Sequence, residues 1–145
     1  MNLNRENQLM LEDEIIDIKI LREIAIKFLD NGGSLPNEKN FCDYCNGNRD
    51  RNSSDNPNEA IISLTHKRKT AYGFYIAVQN ELVGAYNDLR NRESQKLFHQ
   101  DYVDMEEEYF DENTHLVRKE TLKKQIKIVR ELFPQKIIES EVINN

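Results

Sequence analysis

Long apolar stretches are missing from this sequence of 145 residues. The longest apolar runs span only a few residues, as at residues 60–62, whereas a helix that crosses a bilayer needs about 18 in succession. The opening residues also lack the basic and then apolar pattern of a secretory signal peptide. We therefore expect no transmembrane helix here. Composition alone fits either a cytosolic chain or a part of a protein whose targeting segment lies elsewhere.

An excess of positive charge is missing as well. The chain carries 20 Lys and Arg against 26 Asp and Glu, a formal net charge of −6, whereas a nucleic-acid binder needs a basic stripe that displaces counterions. The two denser basic stretches, at residues 66–69 and 119–124, lie beside acidic residues and carry no interleaved aromatic rings. Because such rings are what stacks bases, we expect no nucleic-acid partner.

Cysteine is scarce, since Cys42 and Cys45 are the only two, too few for a disulfide framework. They form a C-x-x-C motif, which in thioredoxin-like enzymes begins a helix after a strand. Here the motif lies in a loop rich in Asn, Gly and Pro. A zinc site would need two further ligands, and the three histidines are scattered. The motif therefore favours a disulfide that closes the loop, or two unreacted thiols, over a metal or redox site.

Catalytic signatures are missing too. The sequence has no G-x-S-x-G, no phosphate-binding loop, no G-x-G-x-x-G and no H-E-x-x-H. The acidic run over residues 101–112 lacks the central Gly of a calcium-binding EF-hand loop and indicates a solvated surface. We predict no catalytic residues, no metal site and no cofactor, and hence a protein that is not an enzyme.

A hairpin, a helix and a long loop are predicted for residues 1–58. Residues 2–4 and 8–12 are typical of two strands around a polar turn. Asp17 can cap a helix, and Gly32-Gly33 predicts its end. Residues 30–58 are rich in Asn, Asp, Gly, Ser and Pro, which predicts a long polar loop or a partly disordered insertion.

The remaining residues complete a ββαβα(α)β order. We predict a strand at 60–65, a helix from Thr70, an irregular charged stretch at 90–113, a helix at 116–133 that Pro134 stops, and a last strand at 136–143. This order indicates a single small α+β domain over residues 1–145. The helix from Thr70 carries a stripe that we interpret as core or as a dimer interface, formed by Tyr72, Tyr75, Gln79 and Tyr86.

Several strings of this sequence resemble the periplasmic domain of ExbD/TolR-family biopolymer-transport proteins. The strand AIISL at 60–64 leads into TAYGFYIAVQNEL at 70–82, which continues as AYNDLR at 85–90. The ending FPQKIIESE at 133–141 and the opening QLMLEDE at 8–14 are similar to the same family. The resemblance therefore covers nearly the whole chain.

The resemblance implies a fold, a location and a set of partners. It implies a small mixed β-sheet with helices packed on one face, in the periplasmic domain of a single-pass inner-membrane protein whose anchor is absent from this chain. It also implies a homodimer that works with an ExbB/TolQ-like proton channel and couples proton flow to outer-membrane transport through a TonB- or TolA-like partner. The family's proton-carrying Asp belongs to the transmembrane helix, so no residue here is assigned that role.

We expect partner binding or dimerisation to occur at an unpaired strand edge, because such an edge is a template for another chain. The last strand or the strand at 60–65 would provide it. Proline at Ile138 or Val142 is then expected to abolish the interaction. The residues of the last strand that carry this hypothesis are Ile137, Ile138, Glu139, Ser140 and Val142.

Two alternatives remain open at this point. The chain could be a TolR-like domain of the same fold that binds peptidoglycan. It could also be an unrelated module that uses Cys42 and Cys45 for metal or redox chemistry.

Overall fold

The computed structural model describes residues 1–142. The last predicted strand reached Ile143, which lies outside the described residues. Within them the elements are, in order, β1 (Asn2–Leu3), β2 (Leu9–Leu11), β3 (Glu14–Ile16), a 3₁₀ helix (Ile18–Ile20), α1 (Leu21–Leu29), β4 (Ile62–Lys67), α2 (Tyr72–Phe98), α3 (Tyr102–Phe110), α4 (Leu116–Leu132) and β5 (Ile137–Val142).

The chain divides into two compact units. Unit 1 consists of Met1–Ala85 together with the segment that begins at Lys136, and unit 2 consists of Tyr86–Gln135. Helix α2 contributes its first half to unit 1 and its second half to unit 2. Among the described residues no helix is both long enough and apolar enough to cross a membrane.

Unit 1 is built on a five-stranded mixed sheet, which confirms the predicted α+β class. The strand order is β3-β2-β1-β4-β5. Strands β1, β2 and β3 pair antiparallel, whereas β4 pairs parallel with both β1 and β5. The two antiparallel pairs need only tight turns, but the parallel pairs need long crossover connections.

Strand β3 is the strand that the sequence did not predict. It forms because Glu12 and Asp13 both adopt positive φ, 50° and 68°, so that the chain reverses after β2 within two residues. Neither position is a glycine, and the usual Asn-Gly or Asp-Gly hairpin signal is missing. Asp17 then accepts a hydrogen bond from the amide of Lys19 and caps the 3₁₀ helix that precedes α1.

One face of the sheet is covered and the other is open. Leu3, Leu9 and Leu64 are buried on the covered face. Leu64 is in register with Glu139, whose carboxylate contacts Tyr75 and Gln79, so the first half of α2 lies over the covered face. On the open face, Ile138 remains 57% exposed.

Unit 2 is helical where the sequence predicted an irregular stretch over residues 90–113. Helix α2 continues to Phe98, and α3 follows after a break at His99, whose φ is 58°. The prediction was wrong because charged residues such as Glu and Lys favour helices, and the apolar positions between them pack. The resulting core consists of Tyr102, Met105, Leu122, Ile126 and Val129.

Candidate partner-binding edge of the sheet

Strand β5 forms one outer edge of the sheet in unit 1. It pairs with β4 on one side only, with Ile62 opposite Ile137 and Lys67 opposite Val142. Strand β4 lies between β1 and β5. The prediction that the strand at 60–65 offers a free edge is therefore wrong, because β4 pairs with β1 on one side and with β5 on the other. Of the two predicted strands, only the last strand, β5, remains a candidate for the free edge.

The register decides which amides of β5 face outward. The amide of Ile62 donates to the carbonyl of Lys136 over 2.9 Å, so Lys136 directs its backbone groups toward β4. Backbone direction alternates along a strand. Ile138, Ser140 and Val142 therefore also face β4, while Ile137, Glu139 and Glu141 face outward. Proline at Ile138 or Val142 would break the sheet itself, so those positions are unsuitable probes of the free edge.

A hydrogen-bonded cluster attaches β5 to α2. The hydroxyl of Tyr75 donates to Oε2 of Glu139 over 2.6 Å. The amide Nε2 of Gln79 donates to the other carboxylate oxygen of Glu139 and, over 3.2 Å, to the hydroxyl of Tyr75. Tyr75 and Gln79 are one helical turn apart, which places both side chains on the same face of α2. We call Tyr75, Gln79 and Glu139 the edge triad.

The edge triad shifts the acidity of its members in opposite directions. The two donated hydrogen bonds, from Tyr75 first and from Gln79 second, hold the pKa of Glu139 below its usual 4.5. Burial, followed by the hydrogen bond to Glu139, raises the pKa of Tyr75 to about 12. At neutral pH the cluster is therefore a phenol and an amide that donate to an ionised carboxylate, which is a charge-assisted arrangement.

Two residues beside the edge were not predicted from the sequence. The ring of His66 lies against the ring of Tyr75, with centroids 4.6 Å apart, and so fixes the position of the phenol. Arg68 lies 3.9 Å from the carboxylate of Glu141. Both belong to the basic stretch at 66–69. Its only signal in the sequence was charge, which does not reveal a contact with a strand some 70 residues away.

The predicted stripe on α2 does not form one surface. Tyr75 and Gln79 belong to the edge triad, and Tyr72 is 77% exposed beside it. Tyr86 belongs to unit 2, where it is buried, and the guanidinium of Arg90 lies 5.8 Å from its ring centre. Tyr86 is thus a core residue, and it is inaccessible to a partner.

The long loop between α1 and β4 is ordered by a disulfide and an arginine. Cys42 and Cys45 are joined and both are buried. The guanidinium of Arg49 donates to the carbonyls of Cys42 and Cys45 over 2.5 and 2.6 Å and lies over the ring of Phe41. Gly32 has a φ of +63°, and a Cβ there would lie 2.7 Å from the Cβ of Cys45, so a side chain would be excluded.

Buried amide side chains complete the loop. Asn31 donates to the carbonyls of Asp50 and Ser54 and accepts from the amide of Asp50. Asn56 donates to the carbonyl of Asn40. These contacts provide the backbone partners that a helix or strand would otherwise supply. The polar composition that suggested disorder is thus what orders the loop.

A cavity of about 450 Å³ lies between this loop, α1 and the start of β4. Ile24, Phe28 and Ile61 form apolar parts of its wall, and Asn48, Asp50 and Ser53 form polar parts. Such a mixture suits a ligand with both apolar and hydroxyl surfaces.

No group of three or more His, Cys, Asp or Glu side chains is placed to hold a metal ion in the part of the chain that the structure describes. The cysteines are bonded to each other and so present no thiolate. Comparison with protein-family models, with curated proteins and with solved structures finds no match to this chain.

Proposed function

We propose that this chain is a non-enzymatic partner-binding domain of the ExbD/TolR type, in which the free edge of β5 receives an extended segment of a TonB- or TolA-like protein. In that role it would belong to an inner-membrane complex with an ExbB/TolQ-like channel that converts proton flow into work on the outer membrane. The proposal also places the domain in the periplasm.

The observation that carries the proposal is the outward-facing backbone of β5. Ile137, Glu139 and Glu141 each present an amide and a carbonyl at the sheet edge, and an added strand pairs with such groups. The edge triad fixes β5 against α2, so the strand is already in place before a partner arrives. Little conformational entropy is then lost on binding.

Several further features support the proposal. The order of elements contains the predicted ββαβα(α)β series, with two additions, strand β3 and helix α3. The open face beside β5 carries Ile138, which can contact alternate apolar side chains of an added strand.

The test is the affinity of an extended peptide from a TonB-like linker for Glu141→Pro, measured by titration calorimetry. This substitution removes an outward-facing amide and leaves the pairing with β4 intact. Loss of a backbone hydrogen bond and the clash of the proline ring should weaken binding about tenfold or more. Glu141→Ala is the matched control, because it removes the same carboxylate but keeps the amide, and its affinity should stay near that of the parent.

Equal affinities for Glu141→Pro and the parent chain would contradict strand addition at β5. The outward edge is then not the binding surface, and the function proposed here is wrong at this site.

A second function, binding of a peptidoglycan fragment, is favoured by the cavity beside the loop. Sugar rings present one apolar face and many hydroxyl groups, which matches the mixed wall of that cavity. Asn48→Ala should weaken binding of a soluble muropeptide severalfold, whereas Asn46→Ala, an exposed asparagine outside the cavity, should not. Muropeptide binding that is unaffected by Asn48→Ala, or no binding at all, would exclude this alternative.

A further inference from the structure

A groove of about 300 Å³ runs between α3 and α4 in unit 2. Tyr109 and Phe110 form its wall on the α3 side, and Ile126 lies at its floor. The α4 side is basic and is formed by Lys123, Lys127 and Arg130. These residues follow one another at spacings of four and three, so they lie along one face of the helix.

Two of the three cations in the groove make no ion pair with any residue that the structure describes. Arg130 donates to Glu106 over 2.7 Å and to the hydroxyl of Tyr102 over 2.6 Å. Lys123 and Lys127, in contrast, make no ion pair with any described residue, and both are exposed. A groove with an aromatic wall and two unpaired ammonium groups should bind an apolar side chain that is flanked by carboxylates.

The end of α3 has this chemistry itself. Phe110 is 71% exposed, and Asp111 and Glu112 follow it directly, both exposed and without an ion pair among the described residues. We call residues 110–112 the acidic tip. It lies at one end of the groove of its own chain, so within one copy the tip cannot also fill that groove.

We propose that the groove between α3 and α4 binds the acidic tip of a second copy of this chain. Phe110 of each copy contacts Ile126 and Tyr109 of the other, and Asp111 and Glu112 of each copy approach Lys123 and Lys127 of the other. Because groove and tip are adjacent, one two-fold axis satisfies both contacts at once. The interface is therefore isologous, and it closes as a dimer.

The charge distribution favours a second copy over an anionic membrane. A membrane surface would attract Lys123 and Lys127, but it would also repel Asp111 and Glu112, which lie at the same end of the unit. A second copy uses both sets of charges, because the acidic set of one chain meets the basic set of the other. The interface involves unit 2 alone and is independent of strand addition at β5.

The test is charge reversal on the full chain, with the solution mass measured by sedimentation over a concentration series. The parent chain should show a concentration-dependent dimer. Lys123→Glu with Lys127→Glu, and separately Asp111→Lys with Glu112→Lys, should each raise the dimer dissociation constant about tenfold or more, because like charges then face each other.

Mixing the two variants is the decisive step. The groove variant has a negative groove, which meets the positive tip of the tip variant. The tip variant keeps a positive groove, which meets the negative tip of the groove variant. Both contacts regain opposite charges, so the mixture should dimerise as the parent does. The matched control is Lys69→Glu with Lys124→Glu, which makes the same change of net charge outside the groove and should leave the dimer intact.

Three results would overturn the inference: a monomer at every concentration, a dimer that survives reversal of Lys123 and Lys127, or a mixture that fails to associate. A monomer that instead binds an acidic peptide in the groove would assign the groove to a different protein. Glu141→Pro should leave this dimer unchanged, so failure here and failure of strand addition at β5 are distinguishable.

Discussion

Tyr75 links two elements that are far apart in sequence, since its hydroxyl binds Glu139 on β5. Tyr75→Phe removes that donor and keeps the ring that lies against His66. We expect the free energy of unfolding at pH 7 to fall by about 0.5–1 kcal/mol, less than the roughly 1.5–3 kcal/mol typical of a hydrogen bond to a charged group, because water screens this site. Urea unfolding of both chains checks the value, and equal midpoints would contradict it.

The pH dependence of that loss follows from the ionisation of Glu139. Its pKa is lowered in the folded chain from 4.5, so its stabilising effect is present above pH 4.5 and is lost as the pH falls through the folded value. The difference between the parent and Tyr75→Phe should therefore shrink as the pH falls below 4.5. Glu139→Gln removes the carboxylate, so the contribution of this site to the free energy of unfolding should not change as the pH falls. A difference that is constant from pH 7 to pH 3 would contradict the assignment.

Arg49 organises the loop through a fork of hydrogen bonds to carbonyls. A lysine keeps the charge but cannot donate in two directions from one plane. We expect Arg49→Lys to lower the free energy of unfolding by about 1–3 kcal/mol. Arg51→Lys is the matched control, because Arg51 makes a more exposed pair with Glu38 and should change stability clearly less than Arg49→Lys does. Similar losses for both variants would mean that the fork has no special role.

Residue patterns in the sequence identified the residues of the candidate edge, but they did not predict which of those residues contact one another. Tyr75, Gln79 and Glu139 were all singled out, but on two separate hypotheses, and nothing in the sequence joined them. Spacing in the sequence shows which residues share a face of one helix or strand. The edge triad instead joins a helix to a strand, and their relative position is fixed only when the chain has folded. Arg49 was missed for the same reason, since its partners are backbone carbonyls, which have no sequence signature.

The disulfide acts at the scale of the loop. Its two cysteines enclose only a few residues, so the loop-closure contribution is small, about 2 kcal/mol or less. We expect Cys42→Ser with Cys45→Ser to lower the midpoint of unfolding modestly and to leave the far-ultraviolet circular dichroism of the helices unchanged. Rapid proteolysis at residues 40–50 in that variant, with α1 intact, would be the local sign. Collapse of the whole spectrum would show that the loop is required for the fold.

Elements with a strong periodic signal were predicted, and those that depend on special backbone conformations were not. The strands β4 and β5 and the helices α1, α2 and α4 lie close to their predicted positions. Strand β3 was missed because its turn uses positive φ at Glu12 and Asp13. The boundary of α2 was placed too early, since the charged residues after Arg90 hid the helical period that continues to Phe98.

Unit 2 has its own apolar core, which leads to a prediction for the whole chain. Met105→Ala should destabilise the core around Leu122 and Val129 by about 2–5 kcal/mol. If the two units open separately, amide hydrogen exchange should accelerate across residues 86–135 while the amides of β4 keep their protection. Leu64→Ala, a buried position of unit 1, is the reciprocal control. If either variant accelerated amide hydrogen exchange equally in both units, the two units would unfold together as one cooperative structure.

The parallel pairing of β5 with β4 also has a consequence for synthesis of the chain. Ile62 and Ile137 are partners but stand 75 positions apart. At roughly 5–20 residues per second, a ribosome needs about 4–15 s to cover that distance. During this interval β4 is already outside the ribosome with one bare edge, and helical unit 2 can form before the strand that covers that edge exists. A nascent chain therefore passes through a stage in which β4 can pair with other chains, and chaperone binding at that stage would protect it.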